Sequence, residues 1–153
     1  MKQFKIFAPL LFALLLVVCF AAVSDAAVKI TVKNNRDHTL SLAFRWSGLD
    51  WENDRRFGWR NVKAGETKTF TFEDAIYVMT SESFGYYAQG GKKVWAGKAS
   101  DEYMGVIINP KSAFGGHPDD PINGGKKVYF RRVNLKETGN SRVDGSATLT
   151  FNP

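Results

Sequence analysis

Apolar and polar side chains alternate along most of this chain with a period of two. Val28, Ile30 and Val32 are separated by Lys29, Thr31 and Lys33, which predicts a strand buried on one face. Asn34-Asn35-Arg36-Asp37-His38 then makes a turn, with residue types that tolerate left-handed backbone or bond to their own main chain. Leu40, Leu42, Phe44 and Trp46 alternate with Ser41, Ala43 and Arg45, so the two segments are expected to pair as a hairpin with one apolar face. A looser aromatic stretch follows from Gly48 to Asn61. Val62 to Gly65 turns into a strand in which Phe70 and Phe72 alternate with Thr67, Thr69 and Thr71.

Further short strands are predicted at Ile76–Thr80, Phe84–Ala88, Lys93–Ala96, Val106–Ile108, around Val128 and Phe130, and at Ala147–Phe151. Lys111 to Gly125, rich in proline and glycine, is expected to be a long irregular loop. About eight or nine strands with glycine and asparagine turns and no convincing helix predict one all-β domain, an antiparallel β-sandwich over residues 27–153.

The N-terminus has a different pattern. Lys2 and Lys5 precede an apolar run from Ile6 to Ala22, and Val23-Ser24-Asp25-Ala26-Ala27 supplies small residues at its exit. Those are the three parts of a secretory signal peptide, assigned to residues 1–26 with cleavage after Ala26. Cleavage after Ser24 is the close alternative. The apolar run also sits at the short edge of spanning length, so retention as an N-terminal anchor is a second reading. Cys19 follows Val18 where a lipobox needs a small residue, and it is one more apolar residue of the segment. The protein is thus expected to be exported, periplasmic or secreted.

Composition narrows the classes further. The chain has 153 residues, 44% hydrophobic and 14% aromatic, which is unlike a disordered chain. Cys19 is the sole cysteine, so disulfide frameworks, thiol catalysis and cysteine–zinc sites are excluded together. Removing Lys2, Lys5 and Asp25 takes 21 basic and 15 acidic residues to 19 and 14, a net charge of +5.

Asn34, Ala43, Gly58-Trp59, Ala64-Gly65, Tyr86-Tyr87-Ala88 and Trp95-Ala96-Gly97 stand in an order that resembles an uncharacterised family of small exported bacterial proteins, domain of unknown function 1036. The resemblance spans Val28 to Gly97. It departs at Arg60, where that family has a second tryptophan, at Ala64, where it has proline, and after Gly65, where no cysteine follows. It implies an exported bacterial β protein and carries over no catalytic residue.

Candidate chemistry is sparse. His117 beside Asp119 and Asp120 is a weak metal-ligand candidate, because zinc needs another strong ligand and calcium needs several more oxygens. A solvated turn is the plainer reading, and neither a metal nor a cofactor is expected. No serine sits in a Gly-x-Ser-x-Gly elbow. Acidic residues such as Glu52, Asp54, Glu73 and Asp74 offer pairs by abundance alone.

Trp46 and Trp95 are expected in the core. Trp51, set among Asp50, Glu52, Asn53 and Asp54, is the aromatic expected at the surface. The pairs Arg55-Arg56, Lys92-Lys93, Lys126-Lys127 and Arg131-Arg132 supply positive charge that attracts anions only if they converge on one face. Otherwise they serve to keep strand edges soluble. The expected function is a non-catalytic binding or structural module recognising anionic glycan or lipid headgroups, through Trp51, Arg55, Arg56, Tyr86, Tyr87 and Lys92. Export argues against nucleic acid as a partner, and a membrane would be met only through a retained leader. The alternative is a small extracytoplasmic hydrolase acting on envelope polymers.

Overall fold

The computed structural model describes residues 27–46, 54–75, 84–137 and 145–153. The expected leader, Trp51 and the strand expected at Ile76–Thr80 lie outside the described residues. The strands are β1 (Val28–Asn34), β2 (Leu40–Trp46), β3 (Arg55–Val62), β4 (Thr67–Phe72), β5 (Phe84–Gly90), β6 (Lys93–Trp95), β7 (Gly105–Ile108), β8 (Phe114–Gly116), β9 (Lys126–Tyr129), β10 (Arg131–Arg132), β11 (Lys136–Glu137) and β12 (Gly145–Phe151). The all-β sandwich is what the alternation predicted. The strands beyond the expected number include β8, β10 and β11, which are too short to show a period.

One sheet has the order β11-β12-β1-β4, and a second has β10-β5-β2-β3-β8 with β6 also on β5. All pairings are antiparallel except β1 with β12, which run parallel from Val28↔Gly145 to Asn34↔Phe151. The expected β1–β2 hairpin does not form. β1 lies in the first sheet and β2 in the second, so their apolar faces meet across the sandwich instead of side by side. Period-two alternation fixes which face is buried and leaves the pairing partner open.

Asn34 holds the arch between the two sheets. Its buried side chain sets Nδ2 2.9 Å from the His38 carbonyl, 3.0 Å from that of Val62 and 2.9 Å from that of Lys63. Its Oδ1 accepts from the Arg36 amide at 3.1 Å. One amide side chain thereby ties the β1–β2 connection to the β3–β4 turn.

Val28, Ile30 and Val32 face Leu40, Leu42, Phe44 and Trp46 in the principal core, joined by Phe72, Phe84 and Phe151. Phe44 and Phe72 are 5.0 Å apart, tilted. Each large side chain fully buried there contributes ~1.5–3 kcal/mol, which is how the domain dispenses with sulfur cross-links. Trp46 lies in this core as expected, and Trp95 packs on its margin, half-buried.

The second sheet is covered on its other face too. The small β7–β9 sheet, with Met104 and Phe130, packs on Ala43 and Tyr87 as a second core. β2 is consequently buried on both faces, and the alternation that marks it as half-exposed understates its burial. Arg45, on this covered face, places Nη2 3.4 Å from Asp54 Oδ2 and lies 4.5 Å from the Tyr103 ring centroid.

Arg56, the cross-strand neighbour of Arg45, is enclosed on the same face. It donates to the carbonyls of Ile107 at 2.9 Å, Pro118 at 2.7 Å and Asp120 at 2.6 Å. The segment from Lys111 to Gly125 is therefore less irregular than expected. It contains β8, which pairs with β3, and Arg56 pins its far end.

Candidate functional site

β5 positions the principal cleft. Tyr86 and Ala88 point toward the first sheet, while Gly85 and Tyr87 point to the second core. The outer edge of β5 is shared between β10, which pairs along Gly85 and Tyr86, and β6, which pairs from Ala88 to Gly90. Arg131 stands opposite Tyr86 and Trp95 opposite Ala88, so both project to the side of the first sheet. There Phe151 of β12 meets Trp95 edge-on at 5.0 Å and Tyr86 at 5.9 Å.

Among the described residues, β11 pairs with Gly145 and Ser146 of β12. A cleft of ≈ 790 Å³ runs along the β6–β10 edge and over β12 onto the outward face of the first sheet. Tyr86, Trp95 and Phe151 give it aromatic surface. Ser146, Thr148 and Thr150 supply hydroxyls, and Lys29, Arg131 and Lys136 supply positive charge. Among the described residues its lining holds no carboxylate, histidine or cysteine.

Adjacent arginines here have different tasks, because successive strand residues face opposite ways. Arg132, at the rim, is held by Asp101, with Nε 2.7 Å from Oδ2 and Nη2 2.9 Å from Oδ1. That pairing draws the Asp101 carboxyl below its ordinary value. Arg131 remains exposed beside Tyr86. Burial pushes the Tyr86 phenol above its usual value, against a smaller opposing pull from Arg131, so it stays a neutral hydroxyl in the physiological range. Arg36 lies 5.3 Å from the Trp95 ring centroid and donates to the Asn152 carbonyl at 2.7 Å, which steadies the indole wall.

Among the described residues, those expected to form a binding surface do not come together. Arg56 is a buried staple with only 1% exposure, and the surface role expected of it is corrected by its three carbonyl partners. Tyr87, expected at the surface, packs in the second core 6.0 Å from Trp59. Tyr86 is buried as well, 7% exposed, and reaches the cleft only by the part of its ring that lines it. Arg55 is half-buried, its Nη1 donating to the Asp54 carbonyl at 2.9 Å. Lys92 is exposed in the β5–β6 turn.

His117 and Asp119 form a local turn, in which His117 Nδ1 accepts from the Asp119 amide at 3.2 Å. Among the described residues no three histidine, cysteine, aspartate or glutamate side chains group as metal ligands. The basic pairs do not converge either. The positive charge of the cleft comes from Lys29 of β1, from Arg131 and the Asp101-paired Arg132 of β10, and from Lys136 of β11.

Lys29, Trp95, Lys136 and Phe151 were missed as candidates because their shared cleft joins elements from opposite ends of the chain. The one local signal was the Arg131-Arg132 pair next to a strand. Comparison with protein-family models, curated proteins and solved structures gives no match to this chain.

Proposed function

We propose that this protein is an exported, non-catalytic binding module and that the β5–β12 cleft takes an acidic sugar unit of an envelope glycan. The observation that carries the reading is the lining itself: Lys29, Arg131 and Lys136 accompany aromatic and hydroxyl groups, with no carboxylate among the described lining residues. Such a lining attracts anions before contact. An arginine fork binds a carboxylate, sulfate or phosphate group through paired hydrogen bonds. Trp95, half-buried in the lining, offers apolar ring surface to a sugar ring, while the threonines answer sugar hydroxyls.

Calorimetric titration of the purified protein with acidic oligosaccharides, their neutral counterparts and anionic lipid vesicles tests this. Acidic sugars are expected to bind more tightly than neutral ones. Arg131→Ala is expected to lower affinity about tenfold, the smaller end of a charge-assisted bond worth ~1.5–3 kcal/mol. Trp95→Ala removes the ring face and weakens acidic and neutral sugars alike. Equal affinity for neutral sugars, or binding confined to vesicles, would overturn the assignment.

A further inference from the structure

The outward face of the first sheet continues the cleft in an ordered way. Val28, Ile30 and Val32 point into the core, so Lys29, Thr31 and Lys33 point out. Strand register then names their neighbours. Lys29 lies between Ser146 and Thr71, and Lys33 lies between Thr150 and Thr67. Between these two rows runs a third, Thr148, Thr31 and Thr69, in which the Thr31 and Thr69 hydroxyls are 3.0 Å apart.

Neighbouring strands are ~4.8 Å apart, which sets a hydroxyl on each side of both ammonium groups within reach of one oxyanion. The two lysines are separated by roughly 13 Å, four residues of strand. Every residue that register places in these rows is lysine, serine or threonine. The chain as a whole has 15 acidic residues against 21 basic ones, so a face without carboxylates is not the average of its composition.

We propose that this face is a track for a linear acidic polysaccharide, one unit of which occupies the cleft; the inference rests on the cleft reading. The continuity is physical, because Lys29, Thr31, Thr69, Ser146, Thr148 and Thr150 belong to both the cleft lining and the grid, and Lys33 lies outside the lining. A membrane surface suits the face poorly, since the exposed large apolar side chains among the described residues are Val94 and Tyr103, and neither lies in the grid. Flat rows of hydroxyls complement a hydroxylated polymer, and the regularly placed ammonium groups select one bearing a negative charge at intervals.

A length series of oligogalacturonates tests the track apart from the cleft. Affinity is expected to rise about tenfold or more between chains that fill only the cleft and chains long enough to reach Lys33, because the second contact becomes intramolecular. Lys33→Gln, at an exposed position outside the cleft lining, is expected to remove that rise while leaving short-chain affinity unchanged. Lys33→Glu should reverse it and make long chains bind more weakly than with Lys33→Gln. A length dependence that survives both variants, or none in the original protein, overturns the track and leaves the cleft reading standing. Failure of chains of every length to bind overturns both.

Discussion

Replacing Arg56 probes whether this guanidinium is structural. Its three carbonyl partners, at 2.6 to 2.9 Å, come from β7 and from the loop that follows β8. Burial lowers its pKa, with Asp119 and Asp120 opposing that pull, yet an arginine side chain stays charged at any working pH. Arg56→Met keeps much of the volume and removes every donor. Each charge-assisted bond contributes ~1.5–3 kcal/mol, but the three share one group and do not add. Removing one side of a buried charged contact costs about 3–5 kcal/mol in comparable settings. Against a total stability of ~5–15 kcal/mol, that is a large fraction.

Urea denaturation followed by tryptophan fluorescence should show the midpoint falling with little change in slope. Amide exchange should show protection lost first in residues 105–120. Arg56→Lys, which keeps the charge without the fork, should fall between the original and Arg56→Met. A loss below ~1 kcal/mol for Arg56→Met would refute the staple, because it would mean the carbonyls find water at no cost.

Asn34→Ala should cost ~2–3 kcal/mol, since it strands carbonyls around a buried amide. Asn34→Asp should cost more, because it turns a carboxylate toward the same carbonyls, and thermal melts would rank the two. The Asp101–Arg132 pair gives a dependence on acid. Because the folded Asp101 carboxyl titrates below its usual value of 3.8, its contribution is present above that value and disappears as pH falls through the lower folded value. The pair is partly exposed, so the effect is ~0.5–1 kcal/mol, and Asp101→Asn should converge with the original protein in denaturation curves taken at progressively lower pH.

The alternation in Val28–Val32, Leu40–Trp46 and Ala147–Phe151 fixed strand identity and the buried face, because a strand sends successive side chains to opposite sides whatever it pairs with. It placed Trp46 in the core and assigned an all-β sandwich without cross-links. The same alternation sends Tyr86 and Tyr87 to opposite faces of β5, against the expectation that both join one binding surface.

Tertiary structure alone decided the rest. Whether β1 pairs with β2 or faces it depends on β4 and β12, which compete for its edges. Arg56 looks like a surface charge until the chain beyond Gly105 closes over it and supplies carbonyls. The cleft and the lysine–threonine grid exist only because β12 lies beside β1 in one register, which sets Ser146 next to Lys29 across more than a hundred residues of chain. Burial preference acts on each residue in place, whereas pairing and register are settled jointly by distant segments, and no local window contains both partners.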